Sequence, residues 1–124
     1  MKQNMVTWFE IPVNDMDRAK NFYEKVFNIS MSVEDFGGVQ MAWFPHAGDI
    51  PGAMGCLIKN DNYTPSEDGA LLYFGSKDIK TELDRVEGAG GTVRQERTMI
   101  SPEYGYMGIF IDTEGNRIAL YAKS

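Results

Sequence analysis

Asp15 and Asp78 lie 63 residues apart in a chain of 124, and each stands between a strand-like run and a helix-like run. In the first copy, Phe9-Glu10-Ile11-Pro12-Val13 leads through Asn14-Asp15 into a helix expected over residues 16–27. In the second, residues 71–75 lead through Lys77-Asp78 into a helix expected over residues 79–89. An aspartate at that place accepts hydrogen bonds from the first free N–H groups of a helix, which is a physical reason for the helix to start there. A repeat that nearly bisects the chain predicts two copies of one supersecondary unit, with a cleft where their sheets face each other.

Local patterning fills in each copy. Residues 7–13 alternate, with Phe9, Ile11 and Val13 on one side and Trp8, Glu10 and Pro12 on the other, the period of a strand with two distinct faces. Met16, Ala19, Phe22, Tyr23, Val26 and Phe27 recur at helical spacing, so this apolar stripe should pack on Phe9, Ile11 and Val13. Trp8 and Glu10 then face the cleft. Asn28 can stop the helix in the left-handed conformation. A strand over 29–34, a turn at Asp35-Phe36-Gly37-Gly38 and a strand over 39–44 read as a hairpin, and residues 53–58 supply the unit's fourth strand. Residues 60–68, polar and containing Pro65, read as the linker between a first module of about 5–59 and a second of about 69–124 in one domain. In the second module, strands are expected over 92–99, 106–111 and 117–122, after a helix stopped by Gly88, Gly90 and Gly91.

Composition narrows the function. A net charge of −6 with scattered basic residues argues against nucleic acid, whose phosphates demand clustered Lys and Arg. The single Cys56 cannot form an intramolecular disulfide, and no run approaches the ~20 apolar residues of a membrane span. With no apolar leader before the first strand, a cytoplasmic location is the expectation.

Three blocks now carry a resemblance: Ile11-Pro12-Val13-Asn14-Asp15-Met16-Asp17-Arg18-Ala19 with Phe22-Tyr23 and Val26-Phe27; Asp78-Ile79 through Gly90-Gly91; and Asp112-Thr113-Glu114-Gly115-Asn116-Arg117-Ile118-Ala119-Leu120. In this order they resemble the vicinal oxygen chelate superfamily, which holds glyoxalase I, bleomycin resistance proteins and extradiol dioxygenases. The resemblance implies an α+β fold of paired βαβββ modules forming a cleft-bearing curved sheet, and a homodimer. It also implies that metal-dependent members bind their ion through one side chain from each of four inward-facing strand positions. Here those positions fall on Trp8, Leu71, Ala119 and a residue within 53–58, where Cys56 is the candidate. Trp, Leu and Ala offer no lone pair to a divalent cation. The usual metal site is therefore expected to be missing and no cofactor is expected, with an atypical site using Glu10, Cys56 or a dimer partner left open.

By strand alternation the ligand pocket is expected to draw on Trp8, Glu10, Gln40, Cys56, Tyr73, Met107 and Tyr121, a flat aromatic wall suited to a small organic molecule. Glu10 interrupts an apolar strand, and a carboxylate there is costly to desolvate unless paired. It is read either as a general base or as the partner of Arg117. Cys56 reads as a buried thiol and His46 as a loop residue. The leading expectation is a metal-free small-molecule-binding protein of the glyoxalase/bleomycin resistance type. The alternative is a glyoxalase-related lyase or isomerase with Glu10 as base, and a third reading, an assembly module, would fill the cleft with Trp8 and Met107.

Overall fold

The computed structural model describes residues 3–124. The chain runs β1 (Trp8–Pro12), α1 (Met16–Phe27), β2 (Val33–Phe36), β3 (Val39–Trp43), β4 (Met54–Lys59), β5 (Leu72–Gly75), α2 (Ile79–Ala89), β6 (Thr92–Ser101), β7 (Gly105–Ile111) and β8 (Arg117–Ala122). Strand, helix and three strands occur twice. The strands form two four-stranded mixed sheets ordered β1-β4-β3-β2 and β5-β8-β7-β6, so the fold is α+β and repeats one topology. No ladder joins β1 to β5, so each module contributes one sheet to the expected fold.

The 63-residue offset survives in the pairing register. Glu10 lies opposite Cys56 in the parallel pair β1–β4, and Tyr73 lies opposite Ala119 in the parallel pair β5–β8. Both members of each pair are displaced by the same offset, which fixes the register of the strand holding Cys56.

Both helices start where their aspartates permit. The Asp15 carboxylate accepts from Arg18 N and that of Asp78 from Lys80 N, while Asn28 ends α1 at φ 55° and ψ 54°. The segment after α1 departs from expectation. Met31 is buried and its N–H donates to the Glu24 carboxylate at 2.8 Å, so residues 29–32 cross the end of α1 as irregular chain and β2 begins only at Val33. The hairpin turn is correspondingly tighter: Phe36 pairs with Val39, leaving Gly37 and Gly38 as a two-residue loop. Their φ values of 66° and 94° are the pair of positive angles a type I′ turn requires.

The buried stripe of α1 packs with Ile11, Val13, Ala42, Phe44 and Leu57, and that of α2 with Phe110, Ile118 and Leu120, in one continuous core. Aromatic rings bridge the modules: Phe74 of β5 lies 5.0 Å from Phe27, 5.3 Å from Phe44 and 5.7 Å from Phe9, between ring centroids.

The turn between β7 and β8 clasps the first module. Glu114, whose side chain is fully buried, accepts from the N–H groups of Asn14 and Asp15 at 2.8 and 2.9 Å and from Arg18 Nε at 2.8 Å. Asn116 Nδ2 donates to the carbonyl of Pro12 at 2.8 Å, and the Tyr23 hydroxyl donates to Asp112 Oδ2 at 2.6 Å. The Asp112 Oδ1 atom in turn accepts from the N–H groups of Glu114 and Asn116, so the loop is braced internally and against its neighbour. Buried polar groups are tolerated only when satisfied in this way.

Candidate functional site

Each sheet has one face under its helix and one face left bare, and register decides which side chains reach the bare one. On the first sheet, Trp8, Glu10, Met41, Trp43, Cys56 and Ile58 share the uncovered face. On the second, Tyr73, Met107, Ile109, Arg117, Ala119 and Tyr121 do. Glu10 and Arg117 line one cavity of about 210 Å³ where the sheet edges meet, so the two bare faces adjoin there.

Trp8 and Trp43 meet edge to face with centroids 4.9 Å apart. The Trp8 indole N–H donates to Glu10 Oε2 at 3.3 Å, and the His46 ring lies 5.6 Å from that of Trp43. Ser32, Glu34, Phe36, Trp43 and His46 line a recess of about 690 Å³ toward β2. On the second sheet, Met107 and Tyr121 are cross-strand neighbours, half-buried, while Tyr73 stands 52 % exposed beside the fully covered Ala119.

Six of the seven residues expected at the pocket therefore lie on the bare faces. Gln40 does not. It pairs with Lys59, on the side of Ala42 and Leu57 that α1 covers, because Ala42, together with Phe44 just past the strand, is buried beneath the helix and a one-residue slip reverses every side chain. Trp43 takes the place assigned to Gln40, and the alternation Val39, Met41, Trp43 was the signal that could have found it. Glu10 is exposed and makes no ion pair with Arg117, whose Nη2 reaches the carbonyl of Gly69 at 3.4 Å. The desolvation on which a general-base role rested is absent from the single chain.

Cys56 is fully buried against β1, and burial, aided by the negative charge of Glu10, pushes its thiol up to about 12. It keeps its proton at neutral pH and is a poor nucleophile. Among the described residues no three His, Cys, Asp or Glu side chains converge as a metal-binding group, and no helix is long and apolar enough to cross a membrane.

A family model described as the glyoxalase/bleomycin resistance protein/dioxygenase superfamily matches residues 5–120. The chain belongs to this superfamily. A glyoxylase-like domain-containing protein of Didymella fabae is 29% identical over 118 residues, covering 93% of this chain and 91% of that protein. Among solved structures, a glyoxalase I mutant from Zea mays superposes with a TM-score of 0.74 at 19% identity over 94% of this chain, which spans only 45% of the maize chain. TnmS3, an antibiotic binding protein from Streptomyces sp. CB03234, superposes with a TM-score of 0.67 at 22% identity over 100% of this chain and 99% of its own. A glyoxalase/bleomycin resistance protein from Albidiferax ferrireducens T118 gives 0.69 at 17%, over 96% and 99%. At these identities the structural likeness establishes the superfamily fold; the reaction, if any, is a property of the site.

Proposed function

We propose that this superfamily member binds a small, flat organic molecule on its bare sheet face, around the Trp8–Trp43 pair, without a metal ion. The observation that carries this reading is the edge-to-face indole pair with the Glu10 carboxylate on its N–H: aromatic faces to stack a ring, and one fixed acceptor to orient it. Trp8, Leu71 and Ala119 bring no donor atom to the positions that hold a metal in metal-dependent relatives, and Cys56 is held protonated, so these residues do not fit a divalent cation. An antibiotic binding protein and glyoxalase I share this fold, so the fold is compatible with binding without a reaction. A second copy facing the exposed rings of Trp43 and Tyr73 would complete the site's outer wall, and we take the assembly to be a homodimer.

The chain has two tryptophans, and both stand at the proposed site, so intrinsic fluorescence reads it directly. A panel of planar organic compounds, including polycyclic antibiotics, is expected to contain members that quench emission saturably in protein freed of metal by chelation, and to lose that effect in Trp43→Ala. Absence of quenching across the panel, together with a melting temperature raised by Zn²⁺, Ni²⁺, Mn²⁺ or Fe²⁺, would overturn the reading. Turnover that fails in Glu10→Gln would favour the lyase or isomerase alternative instead.

A further inference from the structure

A different cavity opens between the two modules, where Phe9 of β1 and Phe74 of β5 meet edge to face with centroids 5.7 Å apart. It measures about 400 Å³, within the range of roughly 300–1,000 Å³ typical of small-molecule sites. Its walls are the helix-side rings Phe9, Phe27, Phe44 and Phe74, and its rim is Val6 and Ala53. Phe9, Phe27 and Phe74 are only partly buried although they belong to the core side of their elements. The core is thus open to solvent at this seam.

The position of Phe9 depends on a missing side chain. A Cβ at Gly55, opposite Phe9 in the parallel register, would come within 2.5 Å of three Phe9 ring atoms. The bare backbone of Gly55 lets that ring lie close against β4, as a wall of the cavity. No lining residue is charged, and the Tyr73 hydroxyl is the one side-chain hydrogen-bond donor in the lining, beside the weakly accepting thioether of Met54.

From this lining we infer that the seam is a second ligand site on the helix side of the sheets; it adjoins the tryptophan face, sharing Phe44 and Pro45 with the recess beside Trp43, but does not depend on the function proposed for that face. It takes a neutral, flat, apolar molecule of naphthyl size. Anions are excluded because the lining offers no cation and would strip the ion of water without compensation. The rings surrounding the cavity favour an aromatic guest, which they can contact by edge and by face.

The probe for this site is N-phenyl-1-naphthylamine, a neutral dye whose emission rises in apolar surroundings, set against the sulfonated anilinonaphthalene dye, which carries a negative charge. The neutral dye is expected to bind saturably with one site per chain and the anionic dye at least about tenfold more weakly. Ala53→Trp, which places an indole at the exposed rim, is expected to weaken the neutral dye by about tenfold or more while leaving the melting temperature unchanged. Leu72→Trp, filling the cavity from β5, is the second variant should the first be tolerated without closing the mouth. Trp43→Phe, on the other face, is expected to leave dye binding as it was. Absence of saturable binding, equal affinity for both dyes, or indifference to both blocking variants would each overturn the inference. So would dye affinity that falls as the protein is concentrated, which would make a second copy of the chain the occupant.

Discussion

Replacing Glu114 with glutamine tests the clasp between modules. Burial alone would raise the pKa of this carboxyl, yet hydrogen bonds from Arg18, Asp15, Asn14 and Thr113 outweigh it and hold the group below its ordinary value of 4.5. A glutamine oxygen can still accept from the N–H groups of Asn14 and Asp15, but its NH₂ then meets Arg18 Nε, a donor facing a donor. Loss of a charged hydrogen-bonding acceptor costs about 2 kcal/mol. With an unfolding entropy of about 2.1 cal/mol/K per residue over this chain, that is a fall in Tm of about 8 °C at pH 7. Glu114→Ala, which also abandons the N–H groups of Asn14 and Asp15, should cost about 3 kcal/mol. The pH dependence has a fixed sign. Because the folded value is depressed, the stabilisation is complete above the unfolded value and is lost as pH falls through the folded one, so wild-type and Glu114→Gln melts should draw together as the protein is acidified below its ordinary carboxyl value of 4.5. Calorimetric melts across that range measure it. A glutamine variant within about 2 °C of wild type at pH 7, or a gap that does not narrow on acidification, would refute the account of the clasp.

Tyr23→Phe removes the 2.6 Å hydrogen bond to Asp112 and should lower stability by about 2 kcal/mol with an unchanged urea m-value; an unmoved midpoint would contradict it. Burial, reinforced by Asp112, raises the Tyr23 phenol well above 10, so one of the six tyrosines should fail to ionise in an alkaline absorbance titration until the protein unfolds. Cys56 should resist a disulfide-exchange reagent at pH 8 in the native protein and react in urea; rapid native labelling would show that the strand opens. Gly55→Ala drives a methyl against the Phe9 ring and should destabilise by about 1–3 kcal/mol, read from the same urea curves.

The two helices were fully legible, with ends at Met16–Phe27 and Ile79–Ala89, because an aspartate cap, a 3.6-residue apolar stripe and a left-handed stop act within a few residues of one another. Strand β2 was misplaced because Met31 is apolar for a reason no alternation reveals: it covers the end of α1 while its N–H is held by Glu24. The faces of β1, β4, β5 and β8 could be read from the repeat itself, since one offset governs all four. Strand β3 lacks that help. Its match in the second module is displaced differently, Met41 corresponding to Met107 through partners Ile58 and Tyr121, so Gln40 was assigned to the wrong side and Trp43 was missed. The burial of Asp112, Glu114 and Asn116 was invisible for another reason: a polar turn between two strands looks solvent-exposed unless its partners, distant in the chain, are known.

That distance has a bearing on how the molecule comes into being. The N–H groups of Asn14 and Asp15 find their acceptor 100 and 99 residues later in the chain. On a ribosome the first module would emerge with all its strands and its helix, yet with the mouth of that helix still open to water and the Pro12 carbonyl still waiting for Asn116. Synthesis of the first half cannot finish its folding; the β7–β8 turn does, arriving as a latch on a door already hung.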